Sequence, residues 1–175
     1  MTPEQATTLL NSMMLPWFHA ERPVTARVIA AIPPDRADYR PDPVGRTALE
    51  LAWHIVTTEV RFVQAVLDGR FDLTPFPVPA DVRTPADVIA WSASELDGRI
   101  EQLRALPAES LTTPIDFRGM FQFPAVVYLQ LAVSHSIHHR GQLSMYLRPM
   151  GAKVPSIYGE SYDGRVAREA AQPSR

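Results

Sequence analysis

Apolar residues recur at helical spacing along much of this chain. Leu51, Ala52, Ile55, Val56, Val63 and Val66 make one stripe. Tyr128, Leu131, Ala132, Tyr146 and Met150 make a second, and Val126, Leu129, Val133, Ile137 and Leu147 a third on the same segment. Recurrence of this kind marks helices with one buried face, and two stripes on one helix mark burial on two sides. Alternation replaces it between Ile115 and Phe123. Ile115, Phe117, Phe121 and Phe123 are spaced for a short β-hairpin turning at Arg118-Gly119.

Proline, glycine and capping residues divide the pattern into four main helices. The first runs from about Pro3 to Ile32, with a kink or break expected near Pro23, since an interior proline removes a hydrogen bond and crowds the preceding turn. The second opens on Thr47 and Glu50, a capping box, and stops at Gly69. The third opens on Thr84, Pro85 and Asp87 and ends near Leu106-Pro107. The fourth starts at Pro124 and ends at Gly151. Long loops, "PPDRADYRPDPVG" and "FDLTPFPVPADVR", separate the first three. The arrangement predicts an all-α fold, a four-helix bundle of residues 1–158. Residues 159–175 read as a tail, partly ordered near its start and then mobile.

Composition narrows the chemistry. The 175 residues suit one domain. A net charge of -2 without a Lys/Arg block argues against nucleic acid or a polybasic membrane contact. The first residues lack the basic leader and apolar run of a signal peptide, and no apolar run is long enough to span a bilayer, so the cytoplasm is the expected location. There is no cysteine. Thiolate zinc sites and cysteine nucleophiles are thereby excluded, and a metal would need histidine, carboxylate or water.

Three of the five histidines fall in "HSIHHRGQL". On a helix, His135 and His139 lie about 40° apart, so both imidazoles reach one ion, whereas the adjacent His138 and His139 are about 100° apart and cannot readily share it. The stripe through Tyr128, Leu131, Ala132, Tyr146 and Met150 is centred close to His135 and slightly toward His139, which favours that pair, with His138 flanking at its edge. His54, in the middle of the second helix, is the candidate third ligand. It stands on that helix's polar flank with Glu50, Thr58 and Arg61, which suits a cleft between helices or an ordinary exposed histidine. Glu59 falls inside the apolar stripe and reads as a carboxylate at a wet interface or as a partner orienting a ligand imidazole. His19 reads as a partly exposed residue at the helix kink. Gln142 and Tyr146 follow His139 along its face and are candidates to line a pocket. Arg140, about 140° from the metal face, has a structural or interface role. The doubly apolar fourth helix suggests a homodimer with that helix near the interface.

"LAWHIV", followed after a long interval by "HSIHHRGQLSMYLRPMGAKVPSIYG", closely resembles the DinB/YfiT-like superfamily of proposed metal-dependent enzymes. The resemblance runs from the first helix to about Tyr158. It implies a four-helix bundle with a long crossover, commonly homodimeric, with zinc or nickel held by His54, His135 and His139. Pro149 departs from the pattern, where an aliphatic residue is usual, and should fray the end of the helix. The family shares its name with a DNA polymerase of unrelated fold, and nothing in this chain suggests polymerase chemistry.

The resemblance further implies use of a low-molecular-weight thiol such as bacillithiol or mycothiol. The expected function is that of a metal-dependent S-transferase or hydrolase acting on a small molecule. A divalent ion would lower the pKa of a bound thiol or water. Neutral histidines are required as ligands, so metal should be lost as pH falls through their titration range. The rival expectations are a non-catalytic metal- or ligand-binding stress protein, and a structural dimer in which His54 points away from the other two.

Overall fold

A computed structural model describes residues 1–171. Its helices begin where the caps predict. Thr2 caps α1 (Pro3–Leu9) in a capping box with Gln5. Thr47 caps α3 (Ala48–Asp68), where Thr47 N–H donates to Glu50 Oε2 at 2.7 Å and Glu50 N–H to Thr47 Oγ1 at 3.1 Å. Gly69 closes that helix at φ 67°, a left-handed conformation that costs glycine little. Thr84 and Asp87 form the same box at the start of α4 (Pro85–Arg104). Between α1 and α2 (Leu15–Ala30) lies one π-helical turn, Leu10–Met14.

The regular helix is interrupted at that turn rather than broken at Pro23. Leu15 N–H donates to Leu10 C=O, five residues back, and the widened turn accommodates Pro16, whose ring would crowd a regular one. Pro23 lies inside α2 without breaking it. It is exposed, so solvent can satisfy the carbonyl that its missing N–H leaves free.

After a short α5 (Ala108–Thr112) comes the antiparallel hairpin of β1 (Pro114–Phe117) and β2 (Phe121–Pro124), with Ile115 opposite Phe123 and Phe117 opposite Phe121. Arg118 and Gly119 turn it at φ 60° and 69°. Tyr128 OH donates to Ile115 C=O at 2.6 Å and accepts from Phe123 N–H at 3.3 Å, clipping the hairpin to α6 (Ala125–Leu147). α6 ends at Leu147, before Pro149, whose ring nitrogen carries no hydrogen to continue the helical bonding, and a turn at Gly151, φ 78°, follows.

The bundle consists of α2, α3, α4 and α6, with α3 packed between α4 and α6, and α2 against both of these. One core cluster joins Leu10, Met14 and Phe18 to Val63, Leu96 and Val133, and another joins Ile29, Leu51 and Ile55 to Leu143 and Leu147. Val126, Leu129 and Val133, in the stripe that suggested a partner subunit, are therefore covered by the chain's own N-terminal helices. The residues read as a partly ordered and then mobile tail contain a helix, α7 (Tyr162–Ala170), capped by Ser161. Asp163 fastens it, accepting from Val154 N–H at 2.8 Å and pairing with Arg148 at 3.0 Å. The most distal part of the expected mobile tail, residues 172–175, lies outside the described residues.

Candidate metal centre

His54 is carried on α3, and His135 and His139 on α6, one turn apart. The contact between α3 and α6 brings the three together. His54 Nε2 and His135 Nε2 lie 3.1 Å apart, and one ring nitrogen from each of the three residues falls within 4.8 Å of the others. Nitrogens bound at about 2.0–2.1 Å to a tetrahedral zinc sit about 3.3 Å from one another, so small side-chain adjustments suffice to hold an ion. The structural-dimer expectation, with His54 turned away, does not match this arrangement.

The surroundings favour ligand-competent imidazoles. Burial, reinforced by Arg46, His139 and Arg61, pulls the His54 pKa down to about 4. Burial, followed by the neighbouring His139 and His54, takes His135 to about 3. His139 is also lowered, mainly by burial, against an opposing hydrogen bond to Gln142. All three are neutral near pH 7, the form that ligates metal. The Nδ1 of His139 lies 2.9 Å from Gln142 Oε1, which can only accept, so the proton is on Nδ1 and the Nε2 lone pair is free. Thr58 Oγ1 stands 3.4 Å from His54 Nδ1. His135 Nδ1 is buried without a hydrogen-bond partner among the described residues. Three neutral nitrogen donors, two with outer partners on Nδ1, fit a divalent ion with an open position.

Two clefts meet at His54. One, of about 490 Å³, is bounded by Arg40, Glu50, Trp53 and Phe76. The other, of about 720 Å³, is bounded by His135, His138, Phe117 and Arg118. Arg46, Thr58 and Arg61 line both. The polar flank noted in the sequence is thus a cleft wall, where His54 stands half-buried. Arg61 also donates to Thr74 C=O, and Trp53 Nε1–H donates to Phe76 C=O at 3.0 Å, so the loop after α3 is tied to this wall.

The other sequence candidates fall in different places. His138 is exposed and lines the larger cleft. Gln142 acts through His139. Tyr146 is buried in the core, edge-on to Tyr39 with centroids 6.0 Å apart. Arg140 is 1% exposed and occupies the middle of the buried face of α6, with Ala132, Ser136 and Leu143, while His135 and His139 stand half-buried at its edge. This corrects the expectation that the histidine pair marks the centre of that face. Arg140 can occupy the centre because Glu21 neutralises it at 2.7 Å, with Thr25 Oγ1 at 3.2 Å and Tyr158 OH at 2.6 Å. No local signal in the sequence pairs residues 119 positions apart.

Glu59 does not reach the histidines. It is 5% exposed and faces a separate cavity of about 340 Å³ between α2, α3 and α4, shared with His19, Arg22 and Asp97. Burial, partly offset by Arg22 and Arg140, raises its pKa to about 7. The exposed His19 matches its sequence reading.

Known proteins share this fold. The model of the DinB family matches residues 5–169. The protein YjoA of Bacillus subtilis (strain 168), of uncharacterized function, is 29% identical over 143 residues, which cover 81% of this chain and 91% of YjoA. YrdA from the same organism, also uncharacterized, is 34% identical over 116 residues, covering 62% of this chain and 64% of YrdA. The crystal structure of the DinB-like YjoA superposes with a TM-score of 0.66 at 26% identity, covering 83% of this chain and 98% of that one. A DinB-like protein from Bacillus cereus ATCC 10987 gives 0.65 at 26% identity, covering 83% and 95%.

Proposed function

The chain belongs to the DinB family, and from that premise we propose that it is a metal-dependent enzyme acting on a small molecule, with zinc or nickel held by His54, His135 and His139. The observation that carries this reading is the convergence of three neutral imidazole nitrogens within 4.8 Å at the junction of two clefts. A bound divalent ion would supply Lewis acidity and lower the pKa of a thiol or water beside it.

The protein groups favour a thiol over water as nucleophile. Among the described residues that line either cleft, Glu50 is the only carboxylate, and it is engaged by Thr47 N–H and Arg40. Water attack usually draws on a nearby general base. A thiol needs none once its proton has been lost. A thiol-dependent S-transferase using a low-molecular-weight thiol such as bacillithiol or mycothiol is therefore preferred to a hydrolase. Gln142 and Thr58 orient the imidazoles, and the clefts admit the reactants.

Metal analysis of protein purified without an affinity tag or added metal tests the reading. About one zinc or nickel per chain, lost in His139→Ala, is expected. No uptake after exposure to both ions would overturn it. The same lack of a free carboxylate keeps one competitor, a non-catalytic metal- or ligand-binding stress protein. Cobalt-substituted protein separates the two, since a catalytic centre gains a thiolate-to-cobalt absorption band on addition of 2-mercaptoethanol and a closed coordination shell does not.

A further inference from the structure

We propose that the larger cleft beside the histidines binds an organic anion, with Arg46, Arg61 and Arg118 receiving its carboxylate or phosphate and Phe62, Phe117 and Phe121 its apolar part. The inference rests on the metal-centre reading only for where the reacting end of the molecule would lie.

Charge is the first argument. Three guanidinium groups line this cleft, and none of the described residues lining it is an Asp or Glu. A chain with a net charge of -2 has no general excess of base to account for the cluster. Among the described residues, Arg46 and Arg118 make no ion pair and no side-chain hydrogen bond; Arg118 lies only over the ring of Phe117. Arg61 is anchored through one nitrogen to Thr74 C=O, yet its Nε–H is buried without a partner. The carboxylate that acts on Arg61, Asp72, is already engaged by the hydroxyl and N–H of Thr74. A buried, unpaired guanidinium donor is unfavourable unless something accepts from it. The planar fork of arginine matches the paired oxygens of carboxylate and phosphate.

Shape supplies the second argument. Phe117 stacks on Phe62 with centroids 5.9 Å apart and on Phe121 at 5.1 Å. Part of the cleft wall is therefore aromatic, with Arg118 beside it over Phe117. A free inorganic anion would leave that wall unused, and a neutral apolar molecule would leave three cations unpaired. An acid or phosphate ester with an apolar body satisfies both.

Calorimetric titration of the full chain, metal-free and zinc-loaded, with phenylacetate, phenyl phosphate and the neutral phenylacetamide tests the proposal. Both forms should bind at least one of the anions roughly tenfold or more tightly than the amide, the scale of one charge-assisted pair. Whether phenylacetate or phenyl phosphate binds more tightly identifies the acceptor group. Arg46→Gln and Arg118→Gln, neither of which breaks an ion pair or a side-chain hydrogen bond among the described residues, should each abolish most of that preference while zinc uptake persists. Equal binding of amide and anions, or anion affinity unchanged in both variants, would overturn the proposal. Anion selectivity without zinc uptake would sink the metal reading and leave the anion cleft standing; zinc uptake without selectivity would do the reverse.

Discussion

Arg140 and Glu21 form a buried ion pair, 2.7 Å between Nη1 and Oε2, joining α6 to α2 in the residue next to His139. Tyr158 OH donates to the Glu21 carboxylate at 3.0 Å and lies 2.6 Å from Arg140 Nη2, so the segment after α6 is locked to the same pair. A buried pair of this kind adds little net stability over an apolar substitute, but removing one partner strands a charge.

Arg140→Met should therefore lower the free energy of unfolding by about 3–5 kcal/mol. The double variant Arg140→Met/Glu21→Met should lose clearly less than the sum of the single variants. Urea denaturation of the four proteins measures this, and strict additivity would show that the two residues do not act as a pair.

Metal retention should persist to lower pH than unperturbed imidazoles allow. The ligand-competent form is neutral, and the His54 and His135 pKa values lie at about 4 and 3. Proton competition at these two ligands should begin below about pH 5 rather than near 6.5, and at His139, which burial also lowers, below its ordinary value. The sign for the metal-free protein agrees, because these depressed groups contribute stability above the unfolded value, near 6.5, that is lost as pH falls through the folded ones. Zinc per chain after gel filtration at stepped pH is the readout, and half-release near 6.5 would contradict the burial argument.

Gln142→Leu removes the acceptor at His139 Nδ1. Zinc affinity should fall by about 10–100-fold, measured by competition with a chromophoric chelator. Gln142→Glu should restore it, since a carboxylate accepts the same proton. Unchanged affinity in the leucine variant would mean that packing alone orients the ring.

Glu59 should make the protein less stable at alkaline than at acidic pH. Its folded pKa is raised to about 7 by burial, so its contribution is present below the unfolded value, near 4.5, and is lost as pH rises through 7. The size is on the order of 3 kcal/mol. Denaturation of Glu59→Gln beside the parent at pH 4.5 and 8 isolates it. The parent should lose stability relative to the variant across that window, and parallel curves would place Glu59 in contact with water.

Much of this protein follows from neighbours in the chain. Thr47 with Glu50, Thr84 with Asp87, Gly69 and Pro124 set helix ends because capping acts over one turn. The hairpin follows from alternating apolar residues and from Arg118-Gly119. The pairing of His135 with His139 follows from the helical repeat, and His54 is a candidate from its place in the second helix, which the resemblance to known sequences also implies. Tertiary packing decided the rest. His54 meets His135 across 81 residues, through a contact of α3 with α6 that no local pattern encodes. Arg140 reads as a structural or interface residue away from the metal face, but its partner Glu21 arrives from α2, where the sequence gives no sign of it. Val126, Leu129 and Val133 read as a second buried side without saying what covers it, and the N-terminal helices pack there. The arginines of the larger cleft come from the loop before α3, from α3 itself and from the hairpin turn. Their shared field exists only once those elements are packed, because Coulomb interactions depend on distance in space and not along the chain.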